Sequence, residues 1–262
     1  MKQPDVNSGE EQFLTMDPHH RTDMDREYSR AMERYFAKSL GTNMDKLRHF
    51  TKFVPRQALS LFLAKNAMFG HIVGIHGHVI ECGVFLGSGL MTWAQLSAIY
   101  EPVNHTRRIV GFDTFSGFPS IHGNDLTGAH LDYTTEGGLS TGAQADVEEG
   151  LRLYDMNRPL GHISRAELVV GDATQTIPEY VKKNKHLLVA MLYLDFDIFE
   201  PTKVAIETFL PRMPKGAVIA FDELGQEYWP GETLALLETV GVRNVRLQRY
   251  PFTPALSYAV LE

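Results

Sequence analysis

Two amphipathic helices are predicted near the start of the chain by the spacing of apolar residues. Between Asp25 and Leu40, aromatic and aliphatic side chains recur every three or four positions, which is the spacing of one face of an α-helix. A second helix is predicted to begin at Pro55, because proline favours the first helical position, and to end near Gly70. The polar first ~20 residues lack this period, and we expect them to be mobile or to cover a neighbouring subunit.

The pattern changes at residue 78, where short apolar runs begin to alternate with helical segments. Most of these runs are apolar on both faces and rich in valine, isoleucine and leucine, as buried parallel strands are. Strands are predicted at 78–82, 108–113, 167–172, 187–195 and 217–222. Helices are predicted between them at 86–100, 147–157, 177–184 and 201–212. A final antiparallel hairpin is predicted at 245–250 and 255–261.

This alternation predicts an α/β fold, with a doubly wound, Rossmann-like sheet and right-handed connections. Residues 1–77 would form a tail and helical extension, and residues 78–262 one domain. The segment 119–145 has no period. A loop of that length in a compact domain is typical of a lid or a binding loop.

Composition and charge exclude several classes of protein. The 262-residue chain is 44% hydrophobic, which is enough for a core, and its net charge is −7. An acidic chain is a poor candidate for binding nucleic acid, which needs a basic face. The single cysteine excludes an intramolecular disulfide and a cysteine-based zinc site. We find no signal peptide and no apolar stretch near the ~20 residues of a membrane helix, so we expect a cytoplasmic protein with no membrane partner.

A carboxylate stands at or next to the end of each predicted parallel strand. In an open α/β sheet, ligands bind at the carboxyl ends of the strands, so these residues are the first candidates for a site. They are Glu81, Asp113, Asp172, Asp195 and Asp222.

A glycine turn follows the first of these acids. Gly83 and Gly87 allow a tight turn and a close approach to a ligand, and Val84 and Ser88 lie in the same segment. The spacing matches neither the dinucleotide-binding G-x-G-x-x-G nor a P-loop. Because Glu81 would repel a pyrophosphate, the turn better suits a ligand with a cationic group and hydroxyls, such as S-adenosylmethionine. A plain β–α turn is the structural alternative.

Two further strand ends are candidate cofactor contacts. Asp113 would accept the two ribose hydroxyls, with Ser116 in the same loop. Asp172, followed by Ala173, would meet the adenine amino group. For both aspartates, the alternative is a helix N-cap.

The densest group of acids follows the fourth and fifth strands, with Asp195 and Asp197 after one and Asp222 and Glu223 after the other. One strand–helix–strand step separates the two pairs, so their side chains are expected to converge. Unpaired carboxylates in one pocket raise one another's pKa values, and a hard divalent cation such as magnesium relieves that cost. Alternatively, the acids cap helices or face solvent separately.

Four motifs occur together in this half of the chain. They are Val-Ile-Glu-Cys-Gly-Val at 79–84, Gly-Phe-Asp-Thr-Phe-Ser-Gly-Phe-Pro at 111–119, Leu-Asp-Phe-Asp-Ile-Phe-Glu-Pro-Thr at 194–202, and Phe-Asp-Glu at 221–223. With them the chain resembles class I S-adenosylmethionine-dependent methyltransferases, and within these the macrocin O-methyltransferase family, from about residue 79 to its end. The resemblance implies the strand order 3-2-1-4-5-7-6, with strand 7 antiparallel.

The resemblance also implies roles for the acids. Asp195, Asp222 and Glu223 would hold Mg²⁺, and Asp197 would be the general base. The chain departs from the family pattern at two positions, because Glu223 stands where a second aspartate is more usual and Phe196 where a small residue is expected. The first departure bears on whether Glu223 is a ligand, and the second on the shape of the acceptor pocket.

The family members that the chain resembles most methylate the 3-hydroxyl of a deoxyhexose, such as the rhamnose of a thymidine-diphosphate sugar. The implied cofactors are S-adenosylmethionine and magnesium, and the implied partner is a sugar or nucleotide sugar. Tyr228 and Trp229 are candidate walls of the acceptor site, and His130 is a candidate substrate contact or base.

Three alternatives stay open. The acceptor is either a free nucleotide sugar or a sugar already attached to a natural product. An NAD(P)-dependent oxidoreductase would use the same fold, although the glycine turn and the lack of an evident Tyr-x-x-x-Lys pair argue against it. A non-catalytic binding module would not need the acids at the strand ends. In each case, the apolar faces of the N-terminal helices predict a homo-oligomer.

Overall fold

A computed structural model describes residues 22–129 and 131–262 of the chain. The prediction for the first ~20 residues and the role predicted for His130 lie outside these residues. The chain divides into two compact units between Leu63 and Ala64, inside its third helix. No helix in the described ranges is long and apolar enough to cross a membrane.

The first unit contains two capped helices and the start of a third. The helices are α1 (Asp23–Lys38), α2 (Asn43–Arg48) and α3 (Arg56–Ile72). Capping boxes begin α1 and α2: the Thr22 side chain accepts from the Asp25 N–H and Asp25 from the Thr22 N–H, and Thr42 and Asp45 repeat this pattern. The helices predicted at 25–40 and from Pro55 are confirmed with shifted ends. Helix α2 was not predicted, because six residues are too few for a periodic signal.

The second unit is built on a seven-stranded sheet of order β3-β2-β1-β4-β5-β7-β6, as predicted. The first five strands in the chain pair in parallel, and β7 pairs antiparallel with both β5 and β6. The strands are β1 (His78–Cys82), β2 (Ile109–Asp113), β3 (Ala166–Val170), β4 (Val189–Leu194), β5 (Val218–Phe221), β6 (Gln248–Tyr250) and β7 (Thr253–Val260).

Five helices accompany the sheet. They are α4 (Ser88–Tyr100), α5 (Gln144–Met156), α6 (Ala173–Lys183), α7 (Phe199–Phe209) and α8 (Pro230–Thr239). The first four correspond to predicted helices, whereas α8 was not predicted. Helix α7 begins at Phe199, before the predicted Pro201, which lies in its first turn. Every residue of the central strand β4 is buried, so the core lies around this strand.

A buried arginine ties the loop before β1 to the start of β2. The Arg107 guanidinium donates to both carboxylate oxygens of Glu101, at 2.7 and 3.1 Å. It also donates to the carbonyls of Ile72, Ile75 and Gly77. These bonds satisfy carbonyls at the end of α3 that have no partner within the helix, and they fix where β1 begins.

The segment predicted as a lid at 119–145 is folded against helices α7 and α8. The Asp125 carboxylate accepts from the backbone N–H of Phe199 at 2.7 Å, and the His122 ring stacks on the Phe199 ring at 4.8 Å between centroids. A Cβ at Gly231, in α8, would lie 2.5 Å from the same carboxylate. Residues 144 and 145 belong to α5 instead of the loop, so the loop is shorter than predicted.

Candidate active site

The ends of β4 and β5 bring two predicted metal ligands together. Leu194 and Phe221 are register partners, and the N–H of Asp222 donates to the Leu194 carbonyl at 3.0 Å. Asp195 and Asp222 are therefore neighbours at the edge of the sheet. Burial raises the pKa of Asp195 well above its usual value, and the charges of Asp222 and Asp197 raise it further.

Asp197 belongs to the same group of carboxylates because the backbone turns after β4. Its φ is +64°, in the left-handed region, so it does not continue the extended chain that would send it to the opposite face from Asp195. Burial raises the pKa of Asp197 to about 8, with further contributions from Asp222, Asp113 and Asp125. The turn thus gives Asp195 and Asp197 a shared environment.

The donor set at this edge fits a magnesium ion held by two carboxylates. Within 22–129 and 131–262, no three His, Cys, Asp or Glu side chains are close enough to form a metal cluster. Mg²⁺ is commonly held by one or two protein carboxylates and keeps several of its waters. Asp195 and Asp222 provide such a pair. The structure does not group Glu223 with them as a third ligand; its backbone N–H donates to Glu232 at 3.2 Å.

Two buried acids that the sequence analysis did not identify lie close to the carboxylates after β4 and β5. Glu232, in the first turn of α8, is fully buried and accepts from the Glu223 N–H. Burial raises its pKa well above the usual value, and Asp197 and Asp222 raise it further. Asp125 is the second, and burial also raises its pKa. For Glu232, proline at position 230 was a usable signal, because it favours the first helical position and would have predicted α8.

A tyrosine and a lysine lie behind Asp222. The Tyr193 hydroxyl donates a hydrogen bond to Asp222 Oδ1. Burial raises the pKa of that hydroxyl, as do the neighbouring charges of Asp222 and Asp195, so the phenol keeps its proton. The Lys65 ammonium lies 4.2 Å from the centre of the Tyr193 ring. No sequence signal distinguished either residue.

The glycine turn after β1 passes directly beside the acids. Gly83 has a φ of +95°, and a Cβ there would lie 1.8 Å from the Asp195 carbonyl oxygen. Only glycine therefore allows this approach. Gly87, with a φ of +85°, precedes Ser88, the first residue of α4, and no side chain caps that helix. The first amides of α4 are thus available to a ligand.

Asp113 joins the loops that follow β1 and β2. Its carboxylate accepts from the backbone N–H groups of Val84 at 2.7 Å, Phe85 at 2.8 Å and Phe115 at 2.6 Å. A carboxylate has about four acceptor positions, so roughly one remains for a ribose hydroxyl. Asp113 organises two loops and is not a helix N-cap. Ser116, exposed in the second loop, faces away from the core.

Glu81 lies inside β1, beneath the turn, and not at the strand end. Its Oε1 accepts from the Trp93 indole N–H at 3.2 Å and lies 3.7 Å from the Lys65 ammonium. A Cβ at Gly89 would lie 1.8 Å from the same oxygen. Burial raises the pKa of Glu81 to about 7, and Lys65 opposes that shift. These contacts place Glu81 in support of the turn and of helix α4.

The buried Glu81 predicts a specific pH dependence of stability. Its folded pKa of about 7 lies above the ordinary value of 4.5. Between these pH values, the unfolded chain releases a proton that the folded chain keeps. The free energy of unfolding should therefore fall with rising pH across this window, by on the order of 3 kcal/mol. Glu81→Gln should show a decline that is smaller by this amount, because the buried Asp195, Asp197 and Glu232 have raised pKa values and contribute declines of their own. Urea unfolding from pH 4 to pH 8 measures both profiles, and parallel curves would contradict the assignment.

Two further predicted residues lie after β3. Asp172 is an N-cap: its Oδ1 accepts from the Thr174 N–H at 2.9 Å, the alternative given above for this residue. Ala173 is buried as the first residue of α6.

Aromatic side chains from two loops form an aromatic wall of Trp229, Phe118 and Tyr133. The Trp229 ring, after β5, contacts the rings of Phe118 and Tyr133 at 6.0 Å between centroids in both cases. Tyr228 precedes it in the same loop. Phe118 and Tyr133 flank the 119–129 part of the predicted lid, so the wall joins this segment to the loop after β5.

Comparison with known proteins gives a family and similar solved structures. The model of the macrocin-O-methyltransferase (TylF) family matches residues 20–232. The crystal structure of the calicheamicin methyltransferase CalS11 shares 31% identity and a TM-score of 0.88, covering 94% of this chain and 97% of that chain. The apo structure of CalS11, described as a TDP-rhamnose 3'-O-methyltransferase of calicheamicin biosynthesis, shares 30% identity and a TM-score of 0.80, covering 94% and 99%.

A more distant structure shows the fold alone. The O-methyltransferase NovP shares 15% identity and a TM-score of 0.57, over 80% of this chain and 81% of that chain. A comparison with curated protein sequences gave no match.

Proposed function

Because this chain belongs to the macrocin-O-methyltransferase (TylF) family, and is thus an S-adenosylmethionine-dependent O-methyltransferase, we propose that it methylates a hydroxyl of a deoxysugar in natural-product biosynthesis. The acceptor we propose is the 3-hydroxyl of a TDP-deoxyhexose such as rhamnose. The observation that carries this proposal is the similarity, over 94% of the chain, to a TDP-rhamnose 3'-O-methyltransferase.

The cofactor site we propose lies at the ends of β1 and β2. The free amides after Gly87 and the turn at Gly83 form one side of it, with Val84 and Ser88 beside them. The remaining acceptor position of Asp113 would receive a ribose hydroxyl, with Ser116 nearby. Asp172 and Ala173 would contact adenine. Glu81 would hold the glycine turn in place from beneath.

We call Asp195, Asp197 and Asp222 the acid cluster, and we propose that it removes a proton and binds a metal ion. Asp195 and Asp222 would hold Mg²⁺, which when bound makes a sugar hydroxyl more acidic and holds it in place. The Asp197 carboxylate would accept the hydroxyl proton as the oxygen attacks the methyl carbon of S-adenosylmethionine, while the carbon–sulfur bond breaks and S-adenosylhomocysteine leaves. General-base assistance of this kind contributes ~10²–10⁴-fold to the rate.

The acceptor would lie between the acid cluster and the aromatic wall. The flat faces of Trp229 and its neighbours offer an apolar surface to the ring of a deoxysugar, whose missing hydroxyl leaves a methyl group to cover. Tyr228, Trp229 and His130 are the proposed acceptor contacts.

We also propose that the protein is a homo-oligomer. Helix α1 has no buried residue, and its exposed apolar side chains include Met24, Tyr28, Tyr35 and Phe36. A second copy of the chain would cover such a face. Light scattering at micromolar concentration should give a multiple of the 29.5 kDa chain mass, and a monomer mass would contradict the proposal.

A methyl-transfer assay tests the proposed function. The purified protein is incubated with S-adenosylmethionine and Mg²⁺, and with either TDP-deoxyhexoses or sugar-bearing natural products. Methylation of a TDP-deoxyhexose at the 3-hydroxyl is the expected result. Turnover of only the glycosylated natural products would place methylation after sugar transfer. Calorimetry provides the control, because binding of NAD without binding of S-adenosylmethionine would overturn the proposal.

A further inference from the structure

The hydrogen bond between Tyr193 and Asp222 has a consequence for the proposed metal site. Tyr193 lies in the central strand β4 and has no solvent exposure. Its hydroxyl reaches across to the neighbouring strand's end and donates to one oxygen of Asp222, Oδ1. The bond therefore comes from a fully buried residue of the central strand.

The tyrosine itself is held on two sides. The Trp93 ring meets it edge-on, with centroids 5.4 Å apart and planes at 61°. The Lys65 ammonium lies 4.2 Å from the ring centre and 3.7 Å from Glu81 Oε1, and is almost entirely buried. A cation over the ring face draws electron density from the phenol and makes its hydroxyl a better hydrogen-bond donor. The hydroxyl is thus fixed in place and polarised.

We propose that Tyr193 is a positioning residue that orients the Asp222 carboxylate for a divalent cation. A donor on Oδ1 stops the carboxylate from rotating and leaves Oδ2 to face the metal. Partners of this kind fix ligand geometry at many metal sites, and their loss typically costs 10–100-fold in metal affinity. This inference rests on the proposed function, because it assumes that Asp222 is a ligand.

The test measures binding of Mn²⁺ alone to the full chain, without cofactor or acceptor. Mn²⁺ takes the same oxygen ligands as Mg²⁺ and is detected by electron paramagnetic resonance. Tyr193→Phe removes only the hydroxyl and is expected to weaken Mn²⁺ binding about 10–100-fold. Tyr180→Phe is the matched control, since the Tyr180 hydroxyl donates to a carboxylate, Glu167, at the far edge of the sheet. Its affinity should equal that of the wild type.

A double-mutant cycle separates positioning from general loss of structure. If Tyr193 acts through Asp222, then Tyr193→Phe should change the affinity no further in an Asp222→Asn background. Equal affinity of Tyr193→Phe and the wild type, or equal losses for Tyr193→Phe and Tyr180→Phe, would overturn the inference. A wild-type protein that binds no Mn²⁺ would instead overturn the magnesium part of the proposed function, and the inference with it.

A second measurement tests the same inference if Tyr193→Phe does not fold. The chain carries 3-fluorotyrosine at position 193 or, as the control, at position 180, and Mg²⁺ is added. The fluorine resonance at position 193 should shift as Mg²⁺ saturates the protein, and that at position 180 should not. An unchanged resonance at position 193, with binding established by calorimetry, would contradict the inference.

Discussion

Asp197→Asn is expected to lower turnover by ~10²-fold or more while binding of S-adenosylmethionine and of metal stays close to normal. The amide has the shape of the carboxylate but does not accept the hydroxyl proton, and this is the scale of a lost general base. Asparagine is also well suited to the backbone here, because it tolerates the left-handed conformation that Asp197 adopts with φ +64°. The loss should appear equally in kcat and kcat/KM, since it concerns the transition state alone.

Asp195→Asn is the matched variant in the same turn. It should weaken metal binding, so that excess Mg²⁺ partly restores its activity, whereas Asp197→Asn should not respond. If Mg²⁺ rescues Asp197→Asn and not Asp195→Asn, the two roles are reversed. If Asp197→Asn keeps near-normal turnover, the base is another residue, and His130 is the first candidate.

Arg107→Met is expected to lower the free energy of unfolding by about 3–5 kcal/mol, the cost of breaking a buried ion pair from one side. The substitution leaves the buried Glu101 carboxylate without its cation and removes the donors to the Ile72, Ile75 and Gly77 carbonyls. Because methionine fills much of the volume of the arginine side chain, the decrease in the free energy of unfolding measures the loss of the polar contacts. Urea unfolding measures it.

Arg152→Met provides the comparison. Arg152 forms an equally short pair with Glu149, at 2.7 Å, but both side chains are exposed. Such pairs contribute little, because solvent screens them, and we expect nearly unchanged stability. Similar losses for the two variants would show that burial of Arg107 does not govern its contribution.

The sheet was predictable because its strands carry their own signal. Residues buried on both faces are apolar throughout, and the parallel strands were placed within two residues at each end. The order of the strands followed from the family resemblance and not from the pattern. Helix α8 was missed although Pro230 stands at its first position, because the Gly231 that follows is typical of a loop, and α2 was missed because it is short.

The candidate site was predictable only where chemistry lies at strand ends. Asp195 and Asp222 follow from the topology, since parallel neighbours end at one edge. The hydrogen-bond donor and the buried acid that lie near them do not follow from the topology. Tyr193 is one of six buried residues in an apolar strand, and Asp125 lies 74 residues from the amide that it caps. Glu81 was a candidate ligand contact next to the end of its strand, yet its carboxylate is buried beneath the turn, where burial controls its pKa.

Because a side chain at Gly83 would collide with the Asp195 carbonyl, the glycine turn after β1 and the segment that carries Asp195 and Asp197 cannot change independently of each other. Any side chain at position 83 would displace the backbone that carries Asp195. In directed evolution, substitutions at Gly83 should therefore be purged whatever acceptor is selected. Variation that changes specificity would accumulate in the aromatic wall, around Phe118, Tyr133 and Trp229. A graft of the glycine turn into another scaffold would therefore have to transfer the segment that carries Asp195 and Asp197 with it.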